Sequence, residues 1–112
     1  MIVNLTPHSL TIYRNADDDT PIIVPPSGTV ARVGYRATSS TTIDEGIQVT
    51  RSMLTGVQGL PSPAEGVIYI CSGMVVEHLG AWGPARPDVL APGELVRDEA
   101  GRPVGCLGLR GI

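Results

Sequence analysis

The sequence contains no lysine and no phenylalanine. Without phenylalanine, and with aromatics at only 4%, a core must be filled by Val, Ile and Leu. Tyr13, Tyr35, Tyr69 and Trp82 are its only large rings. Hydrophobic residues nevertheless reach 42%, enough for one domain spanning residues 1–112. All eight basic residues are arginine, for which two readings stay open: the codon bias of a GC-rich genome, and selection for planar, bidentate contacts to anions. A net charge of −3 leaves no basic stripe for a phosphate backbone, which argues against a nucleic-acid polymer as partner. A small anionic ligand needs only two or three well-placed arginines.

Cysteine is scarce as well. Cys71 and Cys106 lie in apolar, strand-like stretches, and no C-x-x-C or Cys/His spacing is present. Two reduced core thiols are expected, with no metal and no cofactor. No apolar run reaches membrane-spanning length, so no membrane partner is expected. The opening Met1-Ile-Val-Asn-Leu lacks the basic start of a signal peptide, which points to the cytoplasm.

Turn formers are abundant: 14 Gly and 10 Pro favour short β elements over a helical bundle. Strands are expected over residues 2–5, 10–14, 21–24, 29–37 (with a bulge at Gly34 and Tyr35 turned inward), 47–51, 67–71, 88–91, 94–97 and 104–109. Residues 39–46 read as a polar hairpin tip, and 55–65 as a shaped loop. After Val67–Cys71 the pattern switches to helical spacing: Ser72 stands where an N-cap belongs, Met74, Val75 and Leu79 can share one face, and Gly80–Gly83 closes the helix. The expected architecture is a compact α+β domain, a mostly antiparallel sheet or partly open barrel with one main helix.

Three places carry candidate chemistry. At the Ser72-Gly73 junction a buried strand hands over to a helix, aiming free N–H groups at one point, a geometry that suits an anion. At Thr6-Pro7-His8, Pro7 cannot donate to a ladder and opens the sheet edge; His8 there can donate to a phosphate or act as a base, or serve the backbone at a strand end. Arg86-Pro87-Asp88, with Arg97 near the next turn, reads either as a stiff ligand clamp or as a structural ion pair. Arg32 and Arg51 lie on strands that can reach the same face. His78, mid-helix beside Glu77, reads as a solvated surface residue. Ser72, His8 and Asp88 or Asp98 can be drawn as a triad, but no G-x-S-x-G, H-E-x-x-H, D-x-D or Walker pattern supports catalysis.

Taken together, Val3-Asn-Leu-Thr-Pro-His-Ser-Leu10, Pro26-Ser-Gly-Thr-Val-Ala-Arg32, Gly66-Val-Ile-Tyr-Ile-Cys-Ser72, Arg86-Pro-Asp-Val-Leu-Ala-Pro-Gly93 and Leu95-Val-Arg-Asp-Glu-Ala-Gly-Arg-Pro-Val-Gly-Cys106 resemble a group of small proteins carried by phages, prophages and their bacterial hosts. The resemblance spans nearly the whole chain. It implies action against host defence in the host cytoplasm, for example by sequestering a nucleotide immune signal, and it carries no binding residues onto this chain. The expectation is a binding protein, rather than an enzyme, for a phosphate-bearing nucleotide derivative. Its candidate contacts are Thr6, His8, Arg32, Ser72, Gly73, Arg86, Asp88 and Arg97, near a subunit boundary of a homo-oligomer. The alternatives are a phage accessory, structural or inhibitor module acting by protein contact, and a small nucleotide hydrolase working through His8.

Overall fold

In the computed structural model, which describes residues 1–112, the β-rich segments form β1 (Ile2–Asn4), β2 (Leu10–Tyr13), β3 (Ile22–Val24), β4 (Arg32–Thr42), β5 (Gln48–Gln58) and β6 (Ile68–Ile70). Helix α1 (Gly73–Trp82), β7 (Val89–Arg97) and β8 (Pro103–Arg110) complete the chain. Six strands make one sheet in the order β1-β6-β7-β8-β2-β3. Its two ends approach each other: Asn4 bridges Pro26, and Ser27 N–H donates to Asn4 C=O at 2.9 Å. The sheet is therefore nearly closed, and the expected α+β, partly open barrel with one helix is what the chain builds. The long ladders, β4–β5 and β7–β8, are antiparallel; the short pairings of β1–β6, β6–β7 and β2–β8 are parallel.

Alternation along β6 divides the apolar residues between two cores. Ile70 points into the barrel with Ile12, Val24 and Cys106. Tyr69 and Cys71 point outward, where Val75, Val76 and Leu79 of α1 cover them together with Leu5, Val33, Val89 and Ala91. Both thiols are free and buried, as expected.

The barrel seam is held by one polar side chain. Asn4 is 1% exposed, and its amide nitrogen donates to His8 C=O at 2.8 Å and Val24 C=O at 3.0 Å. Its oxygen accepts from Thr6 N–H at 2.9 Å and the Thr6 hydroxyl at 2.7 Å. All four hydrogen-bonding positions of the amide are used. The break at Thr6-Pro7-His8 is thus a shaped corner wrapped round Asn4.

The structure corrects several boundaries. β5 runs on to Gln58, so only the later part of 55–65 is a loop. β7 continues through Pro92-Gly93 rather than dividing there; Gly93 lies so close to the Leu107 and Gly108 carbonyls that no side chain fits, which the sequence disguises as a turn. A register shift follows Gly34 as expected, but Tyr35 turns outward (58% exposed). Met74 also faces out, and Val76 takes its place on the buried face. The largest departure is the β4–β5 arm, whose outer part is exposed on both faces. It stretches the chain to a radius of gyration of 17.1 Å, against about 13 Å for a compact domain of this length.

Asn4→Ala strands the Thr6 N–H and the Val24 carbonyl in a buried site and is expected to cost about 3 kcal/mol, whereas Thr6→Val, which loses only a hydroxyl, costs about 1 kcal/mol. Urea midpoints of the two variants against the parent check the order; equal midpoints for parent and Asn4→Ala would remove the hub from the account.

Candidate functional site

Strand β6 delivers the start of α1 to the sheet surface. Cys71 N–H donates to Leu90 C=O at 2.8 Å, fixing the residue that follows β6 against β7. Ser72 then takes extended backbone angles (φ −63, ψ 157), and its hydroxyl accepts from Val75 N–H at 3.4 Å. Cys71 is buried and Ser72 exposed, on opposite faces as their adjacency requires. The first helical N–H groups, at Gly73 and Met74, have no intrahelical acceptor and carry the positive end of the helix dipole.

This helix start opens onto a cleft of about 390 Å³. One wall is the Asn4-wrapped corner (Leu5, Thr6, Pro7); the other is the root of the arm (Val30 to Val33, and Tyr35), with Ser72 and Met74 between them. The Tyr35 hydroxyl reaches the Met74 sulfur at 2.9 Å, laying the ring along the cleft edge. Arg32 is exposed and forms none of the four ion pairs of the chain. No acidic, imidazole or thiol side chain lines the cleft.

Of the sequence-derived candidates, the cleft brings together Thr6, Arg32 and Ser72, with Gly73 next to Ser72. Thr6 is 9% exposed, and its hydroxyl is engaged with Asn4 and the His8 carbonyl, so it shapes the wall. His8 is exposed on the corner and bonds Asn4 and Thr6 through its carbonyl. The other three lie elsewhere. Arg86 forms a two-pronged pair with Asp88 (2.9 and 3.0 Å), donates to Pro61 C=O at 3.0 Å and lies over the Tyr69 ring at 6.0 Å. Both side chains are mostly buried, and the pair ties the chain after α1 to the loop before β6. Hydrogen bonding to Arg86 holds the Asp88 carboxyl below the usual carboxylate range. Arg97 donates to Gly101 C=O at 2.8 Å inside the β7–β8 hairpin.

Two residues near the site escaped the sequence reading. Arg110, at the end of β8, brings its guanidinium against Gly73 and lies 3.8 Å from Glu77. Alternation along β4 places Tyr35 inward; the bulge after Gly34 turns it out. Arg110 has no local signal, because its place depends on β8 pairing with β7; the face taken by Tyr35 depends on which side of the bulge the alternation restarts. His78 also departs from expectation: it is half-buried, and its Nδ1 is enclosed without a hydrogen-bond partner. Comparison with protein-family models, curated proteins and solved structures finds no match to this chain.

Burial pushes the Cys71 thiol up to about 11 from an ordinary 9.0. A native thiol that keeps its proton longer than the unfolded one adds stability below pH 9, and loses it as pH rises from about 9 towards 11. Cys71→Ala is therefore expected to flatten the alkaline limb of the stability curve over that window while costing about 1–2 kcal/mol at neutral pH. Urea titrations at stepped pH check this, and an unchanged alkaline slope would contradict it. Neither thiol should react with a bulky reagent in the native state.

Proposed function

We propose that this chain binds a phosphate-bearing, nucleotide-like ligand in the cleft at the start of α1. The observation that carries the reading is the convergence of three complementary groups on one surface. The free N–H groups of the helix start suit a phosphate. Arg32, with no carboxylate partner, supplies a fork of donors for the same charge. The exposed Tyr35 ring offers a face on which a base can stack. Apolar walls from Leu5, Val30 and Val33 would exclude water around them.

The cleft is lined by no carboxylate, imidazole or thiol, the Tyr35 hydroxyl is turned to the Met74 sulfur and the Ser72 hydroxyl is engaged in capping, which favours retention of the ligand over hydrolysis. With the likeness to phage-borne proteins, the reading becomes one of sequestration: a small protein that removes a nucleotide signal by holding it.

A thermal-shift screen against mononucleotides, cyclic dinucleotides and ADP-ribose derivatives tests this, because a ligand at a hundred times its Kd adds about 2.7 kcal/mol of stability. Arg32→Ala is expected to weaken a hit by about ten- to a hundredfold, the worth of a charge-assisted hydrogen bond. Gly73→Val should weaken it too, by crowding the helix start and displacing Arg110, with the fold intact. A ligand recovered unchanged by mass spectrometry supports holding. No stabilisation by any of the three classes, or affinity indifferent to both substitutions, would defeat the reading.

A further inference from the structure

The β4–β5 arm is larger than the cleft requires. Only its root lines the ligand site, while its outer part, from residue 36 to residue 53, is exposed along nearly its whole length. A folded monomer of 11.7 kDa should expose about 5,900 Å². This chain exposes 7484 Å², an excess of roughly 1,600 Å² over that expectation. A standard interface needs about 800 Å² from each partner. A two-stranded ribbon with both outer edges unpaired is also marginal on its own.

Away from the ligand cleft, the uncovered large apolar residues of the arm and of α1 fall at two separated places. At the tip, Ile43 and Ile47 are 52% and 55% exposed and lie opposite each other, with Ile43 N–H donating to Ile47 C=O at 2.8 Å. Beside the last turns of α1, a groove of about 460 Å³ lies between Met53–Gly56 and the pair His78 and Trp82. Trp82, the sole tryptophan, is 76% exposed there, and the enclosed His78 Nδ1 lacks a partner. The tip cannot reach this groove in its own chain: six residues of β5, roughly 20 Å, separate Ile47 from Met53.

We propose that the arm is a dimerisation element, in which the Ile43/Ile47 tip of each chain enters the Trp82 groove of a second copy. The chain itself carries both halves of the contact, at opposite ends of one ribbon, which singles out a second copy as the occupant. A two-fold axis across the middle of the arm exchanges the two ends, so both contacts form at once and the assembly closes. Charge agrees with this placement. The tip carries Asp44 and Glu45, and the groove margin carries Arg36, whose only side-chain partner is the Met53 sulfur at 3.3 Å. Trp82 becomes the buried anchor of the interface.

The test needs no ligand, so its outcome is separate from that of the binding screen. Light scattering at micromolar concentration should give about twice the mass of the 11.7 kDa chain. Ile43→Asp combined with Ile47→Asp at the tip, and separately Trp82→Ala in the groove, should each give the single-chain mass. All these positions are exposed, and circular dichroism checks that both variants stay folded. Mixing the two variants should restore a heterodimer, since one intact tip then meets one intact groove. The emission of Trp82 should shift to the blue as the parent is concentrated and stay fixed in the tip variant. A parent that scatters as a single chain, a dimer indifferent to both substitutions, or variants that fail to complement each other would each overturn the proposal.

Discussion

The Asn4 side chain is the constraint on which the geometry depends. A nearly closed sheet whose end strands, β1 and β3, have three residues each cannot rely on long ladders at its seam. One buried amide supplies what the seam lacks, by receiving Thr6 twice and donating to two carbonyls from separate segments. Such a network has every member satisfied, and in a low-dielectric interior its bonds are stronger than in water. A partly satisfied version would be worse than an apolar core, which is why the corner tolerates little change.

From this corner the cleft follows. Asn4 sets the path of Thr6 and Pro7, and Leu5 N–H and C=O bond Ile70 and Ala31. That pairing places the corner between the end of β6 and the root of the arm. The start of α1 therefore opens between two walls fixed by backbone bonds, and the side chains facing the cleft need only be added. Arg86 and Asp88 contribute at a distance: their pair holds the turn from α1 into β7, which keeps β7 beside β6.

The sequence made the two ends of this argument legible and hid the middle. The handover at Ser72, the buried β6 and the two core thiols could be read locally, because each depends on neighbours within one turn or one strand. The same holds for the bulge at Gly34. What local patterning missed rests on distant contacts. β5 runs past Gly56 because β4 pairs with it, although glycine is a poor strand former. Gly93 is a point of close backbone approach, yet it reads as a turn. Thr6 and His8 read as reactive groups in a broken strand, whereas the break encloses Asn4, whose role depends on the Val24 carbonyl brought in from another strand. Arg110 meets Gly73 only after β8 has been laid beside β7.

The sheet order also bears on how the chain assembles. β1 pairs in parallel with β6, matching Ile2 to Ile68, so the first strand must wait for a segment more than sixty residues away. Closing a long loop costs conformational entropy that grows with its length, and distant pairings slow folding. The hairpin of β4 and β5 lies inside that loop and can form by itself from adjacent residues. Once zipped, it brings Arg32 beside Gln58 and removes more than twenty residues from the effective span. The protruding ribbon is in this sense a kinetic shortcut, a local structure that lets β1 and β6 find one another sooner.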